Sequence, residues 1–189
     1  MRVGTRSVLF GAHALWLHPF FVAAAWWRLY GVPFDVHLWA SFWLHDIGYI
    51  GCRDMDGADG ERHVELGARI MELLFGGGWG DFCRRHSRHW VETYGGELSP
   101  LAAADKLAFA MMPWWLYIPM TSATGELEEY MTISQQRQAG DDFFTTAERE
   151  SLASGDRRHW LAALQAYTRR WVEQHVKASA GPTFPQTSN

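Results

Sequence analysis

Apolar residues recur along this chain at intervals of three and four, and alternation with a period of two is essentially absent. No internal repeat is visible. The pattern predicts helices throughout. The first begins at His18-Pro19, with proline at a tolerated first-turn position, and runs to the stop at Gly31. The second starts at Asp35, an N-cap after Pro33, and ends at His45-Asp46. GYIGCRDMDGADG, rich in Gly and Asp, reads as a loop. A third helix covers 61–75 and stops at a run of glycines, a fourth covers 79–93, and a fifth runs from Ser99-Pro100 to about Met112. Beyond Trp115 two or three more are expected, one opening with the capping box Thr145 to Glu148, and the last spanning 156–177. Residues 178–189, ASAGPTFPQTSN, read as a loose tail. The expected fold is all-α, a single helical domain over 1–177.

Composition supports a real core: the chain has 189 residues, 48% hydrophobic and 15% aromatic, with 11 Trp. A net charge of -4 offers no basic field for nucleic acid, and the densest cationic patch is only Arg84, Arg85 and Arg88. Cys52 and Cys83 form no disulfide framework or CxxC pair and fit reduced thiols. Arg2 and Arg6 precede SVLFGAHALWLHPFFVAAAWW, which imitates a signal or a membrane span. His13, His18 and Pro19 near its middle argue instead for a buried helix. LAFAMMPWWLYIPM is too short to span and is broken by two prolines. A cytoplasmic protein with no membrane partner is expected.

The chemistry enters with polar residues on apolar faces. Helical spacing puts His63 on one face with Leu66, Gly67, Ile70 and Leu74, opposite Glu65, Arg69 and Glu72. Asp105 shares a face with Leu101, Ala108 and Met112. His18 opens a helix that is apolar nearly all round, His86 lies near Phe82 and Trp90, and His45-Asp46 ends an apolar run. One inward histidine is most often a core residue hydrogen-bonded to backbone. Six inward ionisable groups on five consecutive helices instead suggest a metal site built from facing helices. Imidazole with carboxylate suits Fe, Mn, Zn, Co or Ni, and no cysteine cluster supports structural zinc.

The order H…HD…H…H…D, with LHDIG at its centre, resembles the HD-domain metalloproteins over about residues 16–112. The resemblance implies a helical bundle, here with additional C-terminal helices, and a minimal ligand set of His18, His45, Asp46 and Asp105. His63, in GERHVELGARI, and His86, in RRHSRHW, match the further histidines of dinuclear members. It therefore implies two divalent metal ions bridged by Asp46. His89, three residues after His86, is the alternative ligand or a substrate group. Many hydrolase members carry a lysine where this chain has Tyr49; Lys106 and Arg88 are candidates to replace its contact with phosphate. TYGGELSP lacks the GYP-type extension of cyclic-dinucleotide phosphodiesterases, which disfavours that activity. Asp54, Asp56 and Asp59 resemble a calcium loop only loosely, because no glutamate follows at the required distance, and read as solvated carboxylates.

The implied function is a metal-dependent phosphohydrolase acting on a small phosphoester or nucleotide through a metal-activated water. In it His18, His63 and His86 fix metals, Asp46 bridges and Asp105 completes a coordination sphere. The alternative is the superfamily's mixed-valent di-iron oxygenase branch, which cleaves C–C or C–P bonds with dioxygen and uses the same ligands. A pure scaffold role predicts lost ligands and ranks last. Oligomeric state is not readable from the sequence.

Overall fold

The computed structural model describes residues 2–55, 57–178 and Pro185. Among them are eleven α-helices and no strand, so the chain is all-α. In order these are α1 (Val3–Phe10), α2 (His18–Tyr30), α3 (Val36–Leu44), α4 (Val64–Phe75), α5 (Gly77–Arg84) and α6 (Arg88–Tyr94). They are followed by α7 (Pro100–Met111), α8 (Trp114–Thr124), α9 (Glu126–Arg137), α10 (Thr146–Ala153) and α11 (Arg157–Ala178). No helix among the described residues is long and apolar enough to cross a membrane. The tail expected over 178–189 lies, apart from Ala178 and Pro185, outside the described residues.

Local chemistry explains most of the boundaries. Pro19 and Pro100 occupy the first turns of α2 and α7, where a missing N–H costs nothing. The Asp35 carboxylate accepts from the His37 amide to cap α3, and Thr145 with Glu148 closes a capping box on α10.

α7 is the central element, packed between α2 and α11. Its alanines at 102, 103, 104, 108 and 110 are buried, and their small size lets helices approach from several sides. One hydrophobic cluster, including Val22, Trp26, Phe42, Met71, Trp79 and Leu101, joins α2–α5 to α7. A second, including Met112, Tyr117, Leu127, Leu152, Trp160 and Leu161, joins the C-terminal helices.

Four expectations are corrected. The N-terminal apolar stretch is two helices, because α1 ends at Gly11 and a turn precedes His18. The expected helix over 79–93 is two, α5 and α6, broken at Arg85–Ser87. There the Ser87 hydroxyl accepts from the Trp90 amide and starts a new helix. The third helix begins at Val64, preceded by a 3-10 turn over Gly60–Arg62. Its buried stripe is Val64, Gly67, Ala68 and Met71, whereas Leu66 and Leu74 are 47% and 59% exposed. His63 sits at the N-cap, so its inward direction does not set the phase of the turns that follow. The small residues set it. A methyl on Gly67 would lie 1.9 Å from the Leu44 carbonyl oxygen, so α4 rests directly on the end of α3.

Candidate metal centre

Five elements converge on one buried cluster. His18 is the first residue of α2, His45 follows the last turn of α3, and Asp46 leads into a 3-10 turn over Ile47–Tyr49. His63 precedes α4, His86 sits in the break between α5 and α6, and Asp105 lies midway along α7. All six are buried.

They form two groups that share one residue. His18, His45, Asp46 and Asp105 make the first; Asp46, His63 and His86 make the second, and within each the ligand atoms lie within 4.8 Å of one another. The two oxygens of Asp46 divide between them. Oδ2 lies 3.2 Å from His45 Nε2 and 3.5 Å from His18 Nε2. Oδ1 lies 3.5 Å from His86 Nε2 and 3.7 Å from His63 Nε2. Asp105 Oδ1 closes the first group, 3.1 Å from His18 Nε2 and 3.7 Å from His45 Nε2.

Hydrogen bonds on the far side of three of the four rings, those of His45, His63 and His86, fix their tautomer. His63 Nδ1 donates to Gly60 O at 2.6 Å, and His86 Nδ1 donates to Cys83 O at 2.5 Å. His45 Nδ1 is 3.1 Å from Phe42 O and 3.2 Å from Ser41 O. A carbonyl only accepts, so each Nδ1 carries the proton and each ring, when neutral, turns an Nε2 lone pair into the cluster. Backbone carbonyls orient metal-bound imidazoles in this way.

The same geometry leaves needs that a cation would meet. His63 Nε2 and His86 Nε2 face one another at 3.2 Å, two acceptors with no proton between them in the neutral state. Buried His45 Nε2 and Asp46 Oδ2 have no hydrogen-bond partner despite their proximity. Orphaned buried polar atoms are rare and call for an occupant. Nitrogen and oxygen donors with two carboxylates suit Fe, Mn, Zn, Co or Ni. The buried group could hold metal ions, and the arrangement is compatible with an HD-type site.

Electrostatics agree. Burial opposes ionisation of Asp46, but the neighbouring histidines, His45 foremost, outweigh it and hold the carboxyl well below the usual range. For Asp105 burial is likewise overcome, chiefly by Lys106 and His18. Burial, reinforced by the proximity of His86, pushes His63 down to about 3, so that ring is neutral. Burial also disfavours the charged form of His45, yet Asp46 and Asp105 prevail and raise it to about 10, so its ring carries the positive charge that the carboxylates demand and that a metal ion would replace. Two ionised carboxylates inside a low-dielectric pocket make a strong cation trap.

The remaining candidates surround the cluster without joining it. Tyr49 stacks flat on His63, with ring centroids 4.2 Å apart and planes 5° apart. Lys106 Nζ is 3.0 Å from Asp105 Oδ2. Exposed Arg88 and His89, on the first turn of α6, line a polar cavity of about 440 Å³ over the ligands. His86 belongs to the cluster and His89 does not, and the two occupy different elements rather than one helix face. In the loop before α4, Asp54 accepts from the Gly57 amide and Asp59 from the Arg53 amide, while Asp56 lies outside the described residues.

Two residues of the site escape sequence reasoning. His13, in the turn after α1, points Nε2 to within 4.0 Å of Asp46 Oδ2. Its Nδ1 is 2.8 Å from Ser7 Oγ, which donates to Glu126 Oε1 at 2.5 Å. Glu126 is fully buried and also accepts from Thr124 Oγ1, the Ala12 amide and Tyr130 Oη. His13 stood out only as a histidine in an apolar run. Glu126 had no signal, because ELEEY reads as ordinary first-turn acids.

Comparison of the chain with protein-family models, with curated proteins and with solved structures finds no match.

Proposed function

We propose that the chain is an HD-type, metal-dependent phosphohydrolase with two divalent ions bridged by Asp46. The observation that carries this reading is the division of the Asp46 oxygens, each directed at its own histidine group. His18, His45 and Asp105 would complete one ion's shell, and His63 and His86 the other's. The chemistry supplied by such a pair is a water acidified to near neutral pH and a clamp on phosphate oxygens.

The chain's own residues do the rest. Lys106 and Arg88 face the cavity as cations and replace the lysine absent at Tyr49 in neutralising phosphate charge. Burial, opposed mainly by Asp46 and Glu126, lowers the pKa of His13, so its ring is neutral near pH 7. With Nδ1 held by Ser7, His13 Nε2 is free to take a proton at the cavity and return it to the leaving oxygen. Tyr49, flat on His63, keeps that ring in place and excludes water from its face.

Metal analysis and activity on p-nitrophenyl phosphate and nucleotides, with Mn or Ni supplied, test the proposal. Two ions per chain and hydrolysis lost in Asp46→Ala are expected. Full metal loading with no phosphatase activity on any of these would overturn it.

One observation favours a second reading, an oxygenase with a di-iron centre. An aromatic ring rather than a cation packs on the candidate ligand His63. An antiferromagnetically coupled Fe(II)/Fe(III) signal in the protein purified without oxygen would replace the hydrolase reading with this one.

A further inference from the structure

The space over the metal ligands does not end there. The polar cavity meets a second one, of about 380 Å³, along His13, Tyr49, Arg88, Lys106 and Arg137, which line both. This inner chamber runs between α7, α8, α9 and α11, walled by Phe109, Tyr117, Tyr130, Phe144, Trp160 and Tyr167. Its size suits a small organic group.

Three of the four polar ring tips, those of Tyr130, Tyr167 and Trp160, are bonded within the protein. Tyr130 Oη donates to Glu126 Oε1 at 3.1 Å, and Tyr167 Oη donates to Asp141 Oδ2 at 2.8 Å. Trp160 Nε1 donates to Ser134 Oγ at 2.8 Å, and that hydroxyl in turn donates to Met131 O at 3.0 Å. These side chains therefore present ring faces and hydrocarbon to a ligand. A sugar or nucleoside would bring hydroxyl and amide groups against surfaces whose hydrogen bonds are already committed, and would lose water without replacement. The chamber's own carboxylate, Asp141, already accepts from Tyr167 Oη and the Phe143 amide, and Arg137 stands where the two cavities meet, while Arg88 and Lys106 border the metal ligands at the other end.

We propose that the substrate is a phosphate monoester of an apolar alcohol, its phosphate at the metal ligands and its hydrocarbon in the aromatic chamber. The identity of the headgroup rests on the hydrolase reading; the apolar requirement rests on the chamber. Hydrolysis would break the P–O bond to the alcohol, with the hydroxyl of water going to phosphorus and its proton to the alcohol oxygen.

The test is binding of ethyl, butyl and hexyl phosphate to the metal-loaded full chain by titration calorimetry, beside inorganic phosphate, glycerol phosphate and AMP. Affinity should rise roughly threefold to fourfold per methylene, the equivalent of about 0.8 kcal/mol each, and hexyl phosphate should outbind AMP. Ile133→Trp, which fills the chamber from α9, should flatten the series beyond butyl phosphate. Leu164→Ala, which enlarges it, should weaken hexyl phosphate more than ethyl phosphate and serves if the tryptophan variant fails to fold. Equal affinity across the series, or AMP binding as tightly as hexyl phosphate, would overturn the proposal. A rising series without turnover would sink the hydrolase reading and leave the apolar requirement of the chamber standing. Turnover indifferent to chain length would do the reverse.

Discussion

Replacing Gly67 by alanine puts a methyl group 1.9 Å from the Leu44 carbonyl oxygen and 2.8 Å from its carbon, with His45 Cα 3.5 Å away. Real side chains do not approach backbone so closely, so α4 must retreat from the end of α3 by about 1 Å. No flexible side chain stands in the way to yield instead; the obstacle is backbone. Overpacking of this kind costs about 1–3 kcal/mol, which for a chain of this size lowers the melting temperature by roughly 2–12 °C. The retreat also acts on the site, because His63 precedes α4 while His45 and Asp46 follow α3. The separation of His63 Nε2 from Asp46 Oδ1, 3.7 Å in the native fold, should widen and the second metal group weaken first. Gly77→Ala is the control, since nothing lies within 4 Å of the added methyl at the start of α5. That substitution should be neutral or stabilising by about 0.4–1 kcal/mol through the unfolded chain. Calorimetric unfolding of both variants, with metal content measured on the same samples, decides the matter. A Gly67→Ala protein that melts with Gly77→Ala and keeps native metal content would refute the argument that this glycine seats α4 on the HD turn.

Three further outcomes follow from particular contacts. His86→Ala should lower the number of bound metal ions and His89→Ala should not, as read by elemental analysis of dialysed protein; equal losses would contradict the burial of His86 and the exposure of His89. Glu126→Ala leaves Ser7, Thr124, Tyr130 and the Ala12 amide without their acceptor, so a loss of about 3 kcal/mol or more is expected in chemical denaturation. Glu126→Gln should be milder and lower kcat with metal content intact, because His13 loses its orientation through Ser7; an unchanged kcat would remove His13 from the proton path. Burial would raise the pKa of Glu148, but Arg170, 2.8 Å away, and the Thr145 cap hold it below its usual 4.5. A depressed pKa stabilises the fold above the unfolded value and ceases to do so as pH falls through the folded one. The thermal deficit of Glu148→Gln should therefore be full at pH 7 and shrink below pH 4.5; a deficit independent of pH would show that the charge contributes nothing.

What the sequence reveals follows from which interactions are local. Caps and prolines are local, so Asp35, Thr145, Pro19 and Pro100 mark their helices correctly by residue type and position alone. The inward direction of Asp105 is also legible, because helical spacing puts it on one face with Leu101, Ala108 and Met112, all of them buried. The break between α5 and α6 is different. Apolar spacing runs on through Arg85–Ser87, and only the Ser87 cap and the bond from His86 Nδ1 to Cys83 O stop the helix there. The break matters chemically, since it lets His86 leave the helical path and meet His63. Glu126 is invisible for a related reason: Ser7 and the Ala12 amide reach it from the far end of the chain, and the nearby Thr124 and Tyr130 do not by themselves mark it as buried.

The LHDIG stretch leads from the end of α3 into a 3-10 turn. His and Asp stand out there as polar residues ending an apolar helix, and the glycine reads only as the start of a loop. In the structure a methyl on Gly48 would lie 1.9 Å from the His63 carbonyl oxygen. Asp46 therefore reaches both histidine groups because the residue two places on has no side chain, which lets the 3-10 turn press against the backbone that carries His63. Any larger residue at 48 would push the turn away and draw Asp46 Oδ1 from His63 and His86. The glycine is as much a part of the candidate centre as the two neighbours that could hold a metal there.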